Sequence, residues 1–351
     1  MEEIIVINAV TARYGGQEVV LKHFLNFAKK QANYNFIFFV NHNFDFWKWS
    51  EYSNIQLIPI KNDSFVSRLK WDIYELNKRV KSLNNKVIYA ISLQNTGFYL
   101  KNVKKGVLLH NIIPFQDKRW SLFNKEERRF WFLRSIYKKF QKMSIKNNTE
   151  IFVQTEHMRN VLKNDFPKNA ILLINHNDQD IDLIKSEFKN KDKQVIYFYP
   201  SDDYSYKNHK MLIDAVSIIL GKGIIPNFKV IFTLSEDSWV FKYCSDKKVG
   251  DYFNFIGRID NAKVLQLYNE TTLIFLSEME SLGLPIVEAK SFHCNIITFA
   301  TPYALELLGD YSTCKFLAYD KNDYDFNVRQ VISAIMKVEK KVIPFIPTIL
   351  N

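Results

Sequence analysis

Leu273-Ile274-Phe275-Leu276 runs into Ser277-Glu278-Met279-Glu280-Ser281-Leu282-Gly283-Leu284-Pro285-Ile286-Val287-Glu288-Ala289, and this stretch decides how the chain is read. The four apolar residues suit a buried strand. Pro285 suits the first turn of a helix, where a missing N–H costs nothing. The segment therefore reads as strand, glycine-bearing turn and helix start, with Glu280 and Glu288 on either side of the turn. Helix N-termini carry unpaired N–H groups and partial positive charge, and they attract phosphates. Carboxylates beside them would repel a phosphate but accept hydrogen bonds from hydroxyls. Amides for a diphosphate and two carboxylates for sugar hydroxyls are what a nucleotide-sugar needs. An ordinary strand–helix unit with two solvated glutamates is the plainer reading of a glutamate pair alone.

The same strand–helix alternation extends along the chain. Expected strands are 4–9, 36–41, 56–60, 87–91, 106–110 and 150–155, then 195–199, 228–234, 252–256, 273–277 and 295–300. Expected helices include 19–31, 209–220, 261–269, 284–292 and 324–337. Such alternation belongs to α/β folds with parallel sheets. At 351 residues the chain exceeds the ~250–300 at which single cores usually divide, so two domains are expected. The polar stretch Asn175–Lys193 is the linker candidate. The division expected is 1–180, 190–323, and a C-terminal helix and tail, 324–351, with a return to the first domain considered for it. Two Rossmann-like halves facing a central cleft would bind ligand at the carboxyl ends of their sheets.

Composition narrows the class. The hydrophobic fraction of 47% is ordinary for a globular protein, and no apolar run approaches the ~20 residues of a membrane span. Met1-Glu2-Glu3 leads straight into Ile4-Ile5-Val6-Ile7, a strand rather than a secretory signal. Cys244, Cys294 and Cys314 form neither a metal pattern nor a disulfide framework, which fits a reducing cytosol. Of the net charge of +11, most sits in residues 101–150, with 13 Lys/Arg against 4 Asp/Glu. Such a block suits nucleic acid, anionic lipid or a phosphorylated substrate. No nucleic-acid module accompanies it, and nucleic acid is not expected as a partner. Within the block, 124–143 reads as a helix with Asn124 and Glu127 at capping-box positions. Its expected core face is Phe130, Leu133, Ile136, Tyr137, Phe140 and Met143. Arg128, Trp131, Arg134, Lys138 and Lys142 fall on the other side, either as an anionic-membrane face or as a solvated one.

The segment 277–289 closely resembles the signature of glycosyltransferase family 4, retaining enzymes of GT-B fold. Gly15-Gly16 resembles that family's N-terminal glycine loop, and Val107-Leu108-Leu109-His110-Asn111 its strand with the active-site histidine. Tyr206-Lys207-Asn208-His209 resembles its phosphate-binding lysine segment, and Phe255-Ile256-Gly257 its nucleobase-side loop. His110-Asn111-Ile112-Ile113-Pro114-Phe115 further resembles a bacterial subset that builds O-antigens and other surface polysaccharides.

The resemblance implies catalytic roles for His110, Glu280 and Lys207. It implies donor binding by Gly15, Gly16, Ser281, Leu282, Gly283, Leu284 and Glu288. Glu288 would take ribose hydroxyls, Glu280 and His110 hydroxyls of the donor sugar, and Lys207 the diphosphate. Where the family usually carries an arginine five residues before the lysine, Asp202 stands; Arg258 is the candidate for a second cation. Transfer to a glycan or lipid-linked oligosaccharide in the cytoplasm, at the inner face of the membrane if the basic block binds lipid, follows from the same resemblance. Another GT-B enzyme, such as a nucleotide-sugar epimerase, and a non-catalytic sugar-nucleotide-binding partner of an assembly complex stay open. Asp178-Gln179-Asp180 resembles the metal motif of the other major glycosyltransferase fold, but lies in the linker and reads as solvated. No metal or other cofactor is expected. The absence of G-x-G-x-x-G and G-x-x-x-x-G-K-[ST] argues against dinucleotide and P-loop chemistry.

Overall fold

The computed structural model describes residues 3–13, 16–45, 49, 51–62, 64–83, 87–100, 102–146, 148–174 and 194–342. Gly15, the linker stretch 175–193 with Asp178 and Asp180, and the tail from 343 lie outside them. The chain divides into two compact units, Met1–Asp180 and Ile181–Asn351.

The first unit is a seven-stranded parallel sheet: β1 Ile4–Ala9, β2 Asn35–Asn41, β3 Ile55–Ile60, β4 Val87–Ser92, β5 Lys104–Leu108, β6 Thr149–Val153 and β7 Ile171–Leu173. Their order is β3-β2-β1-β4-β5-β6-β7, with Ile7 of β1 in register with Phe38 and Ile91. Alternate strand residues feed separate cores on the two faces. Ile7, Phe36 and Phe38 pack with Leu21 and Leu25 of the helix Gly16–Lys29. Val6, Ile37 and Phe39 pack with Trp71, Leu76 and Val80 on the other. A sheet covered on both faces explains why these strands read as continuous apolar runs.

The second unit repeats the plan with six parallel strands: β8 Val195–Tyr199, β9 Phe228–Phe232, β10 Phe253–Phe255, β11 Thr272–Phe275, β12 Asn295–Phe299 and β13 Cys314–Leu317, ordered β10-β9-β8-β11-β12-β13. In both sheets the order reverses beside the unit's first strand, at β1/β4 and at β8/β11. Doubly wound sheets bind ligands outside the carboxyl ends of the strands at such a reversal.

Most expected elements are present, with corrections. β5 ends at Leu108, so His110 stands two residues beyond its strand rather than at the end of it. β7, β13 and the helices Glu156–Lys163, Trp239–Asp246 and Pro302–Leu308 were not anticipated. The helix Tyr324–Val342 buries Val328, Val331, Ala334 and Ile335 in the second unit's core, so through Ile335 it belongs there rather than to the first unit.

The basic-block helix departs furthest. It starts at Arg128, passes through a π-helical turn at Leu133–Tyr137 and resumes at Lys138–Ser144. A π turn inserts about one extra residue, which rotates all that follows by about 100° relative to an α-helical wheel. Phe130 and Tyr137 are buried as expected, but Ile136 and Met143 emerge into solvent and Gln141 and Ser144 take the interior. The capping box is also absent. Asn124 Oδ1 accepts from the Glu126 amide, and Glu127 Oε2 from Ser121.

Asp214 ties three helices of the second unit together. It is 8% exposed and accepts from Tyr243 (2.6 Å), Tyr324 (2.7 Å) and Lys210 (2.9 Å), with Lys247 at 3.3 Å. Burial alone would raise its pKa, but the hydrogen bonds from Tyr243, Lys210 and Tyr324 prevail and bring it down to about 2. A carboxylate whose folded pKa lies below its unfolded one stabilises above the unfolded value and loses that contribution as pH falls through the folded one. Asp214→Ala is therefore expected to cost about 2–3 kcal/mol at pH 7. In urea melts the gap from the parent should close between about pH 5 and pH 2; a gap unchanged across that range would contradict the cluster's role.

Candidate active site

Glu280 follows β11, and Lys207 follows β8, the neighbouring strand across the reversal. The two side chains form a direct ion pair. Lys207 lies in a single 3-10 turn, Ser205–Lys207, and is 9% exposed. Its ammonium lies 5.4 Å from the Tyr206 ring and 5.2 Å from the Phe275 ring, which strip water from it. Asn208, in the left-handed conformation (φ 58°), turns the chain into the helix His209–Gly221 and donates to Leu276 O at 2.9 Å. The turn is thus stitched to the end of β11. His209 is a packing residue: it is fully buried, stacks on Tyr199 and bonds Ser201 Oγ at 2.9 Å.

Tyr199 closes this arrangement, and sequence reasoning missed it. Its hydroxyl donates to the Lys207 carbonyl and accepts from the Leu276 amide at 3.1 Å. One buried hydroxyl at the end of β8 thereby holds both the lysine turn and the β11 end. Tyr199→Phe would leave a buried carbonyl and amide unsatisfied, an expected loss of about 1–3 kcal/mol. Chemical denaturation measures it, and an unchanged midpoint would remove Tyr199 from this role.

Gly283 caps the helix Leu284–Ser291 with φ 72°, and its carbonyl accepts from Ile286 at 2.8 Å. A Cβ there would come within 3.1 Å of Tyr303, whose hydroxyl donates to Ser277 O at 2.8 Å. Tyr303, from the helix after β12, therefore forms the wall behind the turn. Its signal was the Thr301-Pro302 helix start, which the strand reading stopped short of. Ser281 and Leu284 are half-buried and Leu282 is buried.

Glu288 is 6% exposed and accepts from Asn261 Nδ2 (3.2 Å) and Tyr268 OH (3.1 Å). Burial pushes its pKa up to about 7 against those two bonds. A carboxyl so poised gains from further hydroxyl donors, which would favour its ionised form. Asn261 opens the helix that follows the loop holding Gly257 (φ 69°) and exposed Arg258. The start of the helix after that loop and Glu288 are thus linked by a hydrogen bond. Asp202 is exposed, and Asp203's carboxyl is pushed up by burial, with Asp202 and Asp237 contributing, so the loop after β8 is acidic.

In the first unit, His110 Nε2 lies 3.1 Å from Asn95 Nδ2 and 3.2 Å from Gln17 Nε2. Gln17 follows Gly16, which opens the helix Gly16–Lys29. Burial, then the Arg68 guanidinium, pushes the His110 pKa down to about 4, so at neutral pH the ring is uncharged.

The charged residues read as an anionic-membrane face are engaged by the protein itself. Lys138 and Lys142 pair with Asp165 at 2.8 and 3.2 Å. Arg134 donates to the Asp117 and Lys118 carbonyls, and Arg128 to Leu122 O at 3.2 Å. Trp131 is half-buried. No described helix is long and apolar enough to cross a membrane.

Residues 180–341 match the family model of glycosyl transferases group 1. The match takes in the lysine turn, the glutamate segment and the Asn261 loop, and it supports a glycosyltransferase. Solved structures resemble nearly the whole chain. WaaG, a glycosyltransferase involved in lipopolysaccharide biosynthesis, aligns at TM-score 0.65 and 10% identity, over 97% of this chain and 93% of WaaG. A glycosyltransferase from Rickettsia africae aligns at 0.60 and 14%, over 97% and 98%. Anabaena HepE, in complex with UDP and glucose, aligns at 0.63 and 12%, over 97% and 92%. At such identities the likeness establishes the fold, which is GT-B. No curated protein matches the chain in sequence.

Proposed function

We propose that the protein is a retaining glycosyltransferase of family 4 type. It moves a sugar from a nucleoside diphosphate to a hydroxyl of a growing, lipid-linked bacterial surface glycan such as an O-antigen or capsule. The observation that carries this is the Lys207–Glu280 pair at the β8/β11 reversal, beside the left-handed Gly283 turn and buried Glu288. A diphosphate arriving at the turn competes with Glu280 for the Lys207 ammonium and meets amides of the Ser281–Leu284 segment. Glu280, released, accepts from hydroxyls of the donor sugar, and Glu288 from those of the ribose. Arg258 adds positive charge on the nucleobase side. Gly16, with Gly15, serves the donor phosphates from the first unit, and His110 hydrogen-bonds a sugar hydroxyl.

As the C1–O bond to the diphosphate breaks, charge grows on the leaving oxygen, where Lys207 and the amides stabilise it. That oxygen takes the acceptor's proton while the acceptor oxygen bonds C1 on the same face, so configuration is retained. The diphosphate is neutralised by these groups without a metal. The basic block, four of whose cations are tied to Asp165 and to loop carbonyls, lies against an anionic membrane surface on the cytoplasmic side, where a lipid-linked acceptor is held.

A thermal-shift screen against UDP-, GDP-, dTDP- and CDP-sugars tests the reading. The matching donor at 100 times its Kd should add about 2.7 kcal/mol of stability. NMR of the product should show the donor's anomeric configuration. Stabilisation by none of the four, or an inverted product, would overturn it.

A further inference from the structure

Asn95 stands between His110 and a buried polar cluster that the proposed reaction does not use. Its own backbone is left-handed, at φ 64°, a conformation that costs a non-glycine residue about 1–2 kcal/mol and persists where its surroundings offset that cost. They do so here. Asp72, 2% exposed, accepts from the side chains of both flanking residues, Gln94 and, at 3.2 Å, Thr96. Arg68 donates to Gln94 O at 3.1 Å and to Tyr137 OH at 2.9 Å, while Gln141 donates to the Asn95 carbonyl at 3.0 Å. The Gly97 amide bonds Ser144 Oγ, and a Cβ at Gly97 would stand 2.5 Å from Ser144 O. The loop 94–97 is thereby pressed between two helical segments, each carrying a π turn, at Trp71–Glu75 and Leu133–Tyr137. π turns recur at functional sites, where they realign side chains that a regular helix would misplace.

The Asn95 side chain then reads His110 twice. Oδ1 accepts from the His110 amide at 2.8 Å and the Asn111 amide at 3.1 Å. Backbone amides only donate, so this atom is the oxygen and the one facing Nε2 is the nitrogen. A carboxamide nitrogen only donates. Nε2 must therefore accept, and the ring proton is on Nδ1. Gln17 Nε2, 3.2 Å from the same atom, is consistent with that.

We propose that Asn95 is the positioning residue for His110, fixing its ring as the neutral Nδ1–H tautomer, and that Asp72 holds Asn95 in place by clamping Gln94 and Thr96 on either side of it. With Nε2 occupied by amide donors, His110 cannot serve as a base through that atom. The consequence for catalysis rests on the assignment of His110 to the transfer site; the tautomer does not.

The test uses the full chain labelled with 15N in its histidine rings, His110 being identified by the signals lost in His110→Ala. At pH 7 the Nε2 signal should fall in the unprotonated range and Nδ1 in the protonated one. Asn95→Asp keeps an oxygen for both amides but turns the donor into an acceptor, so Nε2 should move into the protonated range. Asp72→Asn should give a mixture of both tautomers, because one of the two clamping donors loses its acceptor. Asn95→Ala should lower transfer about 10²-fold and have no further effect in His110→Ala. A protonated Nε2 in the parent, or an unprotonated one in Asn95→Asp, overturns the proposal. If His110→Ala transfers at the parent rate while the tautomers behave as stated, the positioning stands and His110's part in transfer falls.

Discussion

Lys207→Ala is expected to lower sugar transfer by about 10²–10³-fold, the usual effect of removing one pre-placed charge that stabilises a leaving group. The protein should stay folded. The Lys207 turn is held by its backbone, through the Tyr199 hydroxyl on the Lys207 carbonyl and the Glu278 amide on the Tyr206 carbonyl at 3.0 Å. Those bonds survive truncation of the side chain. What is lost is the ammonium held beside the Tyr206 and Phe275 rings, where the local dielectric makes it count for more than a solvated lysine. Glu280→Ala should be similarly damaging, for the complementary reason that the donor sugar loses its carboxylate. Initial rates with the natural donor, alongside a circular-dichroism melt, are the measurements. Full activity in either variant would sink the site assignment.

Gly283→Ala is expected to be the most damaging glycine-to-alanine change in the second unit. Two costs add. Alanine at φ 72° pays about 1 kcal/mol for the left-handed backbone. Its Cβ would also lie 3.1 and 3.2 Å from two Tyr303 ring atoms and 3.4 Å from Leu307 Cδ1. Tyr303 is fully buried and anchored to Ser277 O, so it has little room to retreat, and overpacking of this kind costs about 1–3 kcal/mol. The sum is a loss of about 2–4 kcal/mol, together with weaker donor binding because the turn must shift. Urea unfolding and a nucleotide-sugar titration measure the two. A parent-like midpoint would mean that the turn tolerates a side chain, contrary to the packing behind it.

Much of this was legible in the chain. The strands at 4–9 and 195–199 have the boundaries read from their apolar runs, because strands buried on both faces leave no ambiguity of pattern. The Gly283-Leu284-Pro285 helix start was equally plain, since glycine and proline report on backbone angles directly. The helix 124–143 was misread after Leu133 because a wheel assumes one period throughout. The extra residue of a π turn has no signature in residue type. Tyr199, Tyr268, Tyr303, Asn261 and Asn95 were missed for another reason. Their contributions are hydrogen bonds to residues 8 to 77 positions away, and nothing local distinguishes a tyrosine that holds a turn from one that fills a core.

By itself, the sequence determined the two parallel-sheet units and the glutamates on either side of a glycine turn, through patterns confined to a few neighbouring residues. Only the tertiary structure decided that Lys207 and Glu280 are partners, that Glu288 is buried and poised near neutrality, and that His110 is uncharged. Charge state and pairing depend on burial and on which strand lies beside which. Here the order β8-β11, which brings residues 73 positions apart into contact, is a property of the folded sheet rather than of any segment within it.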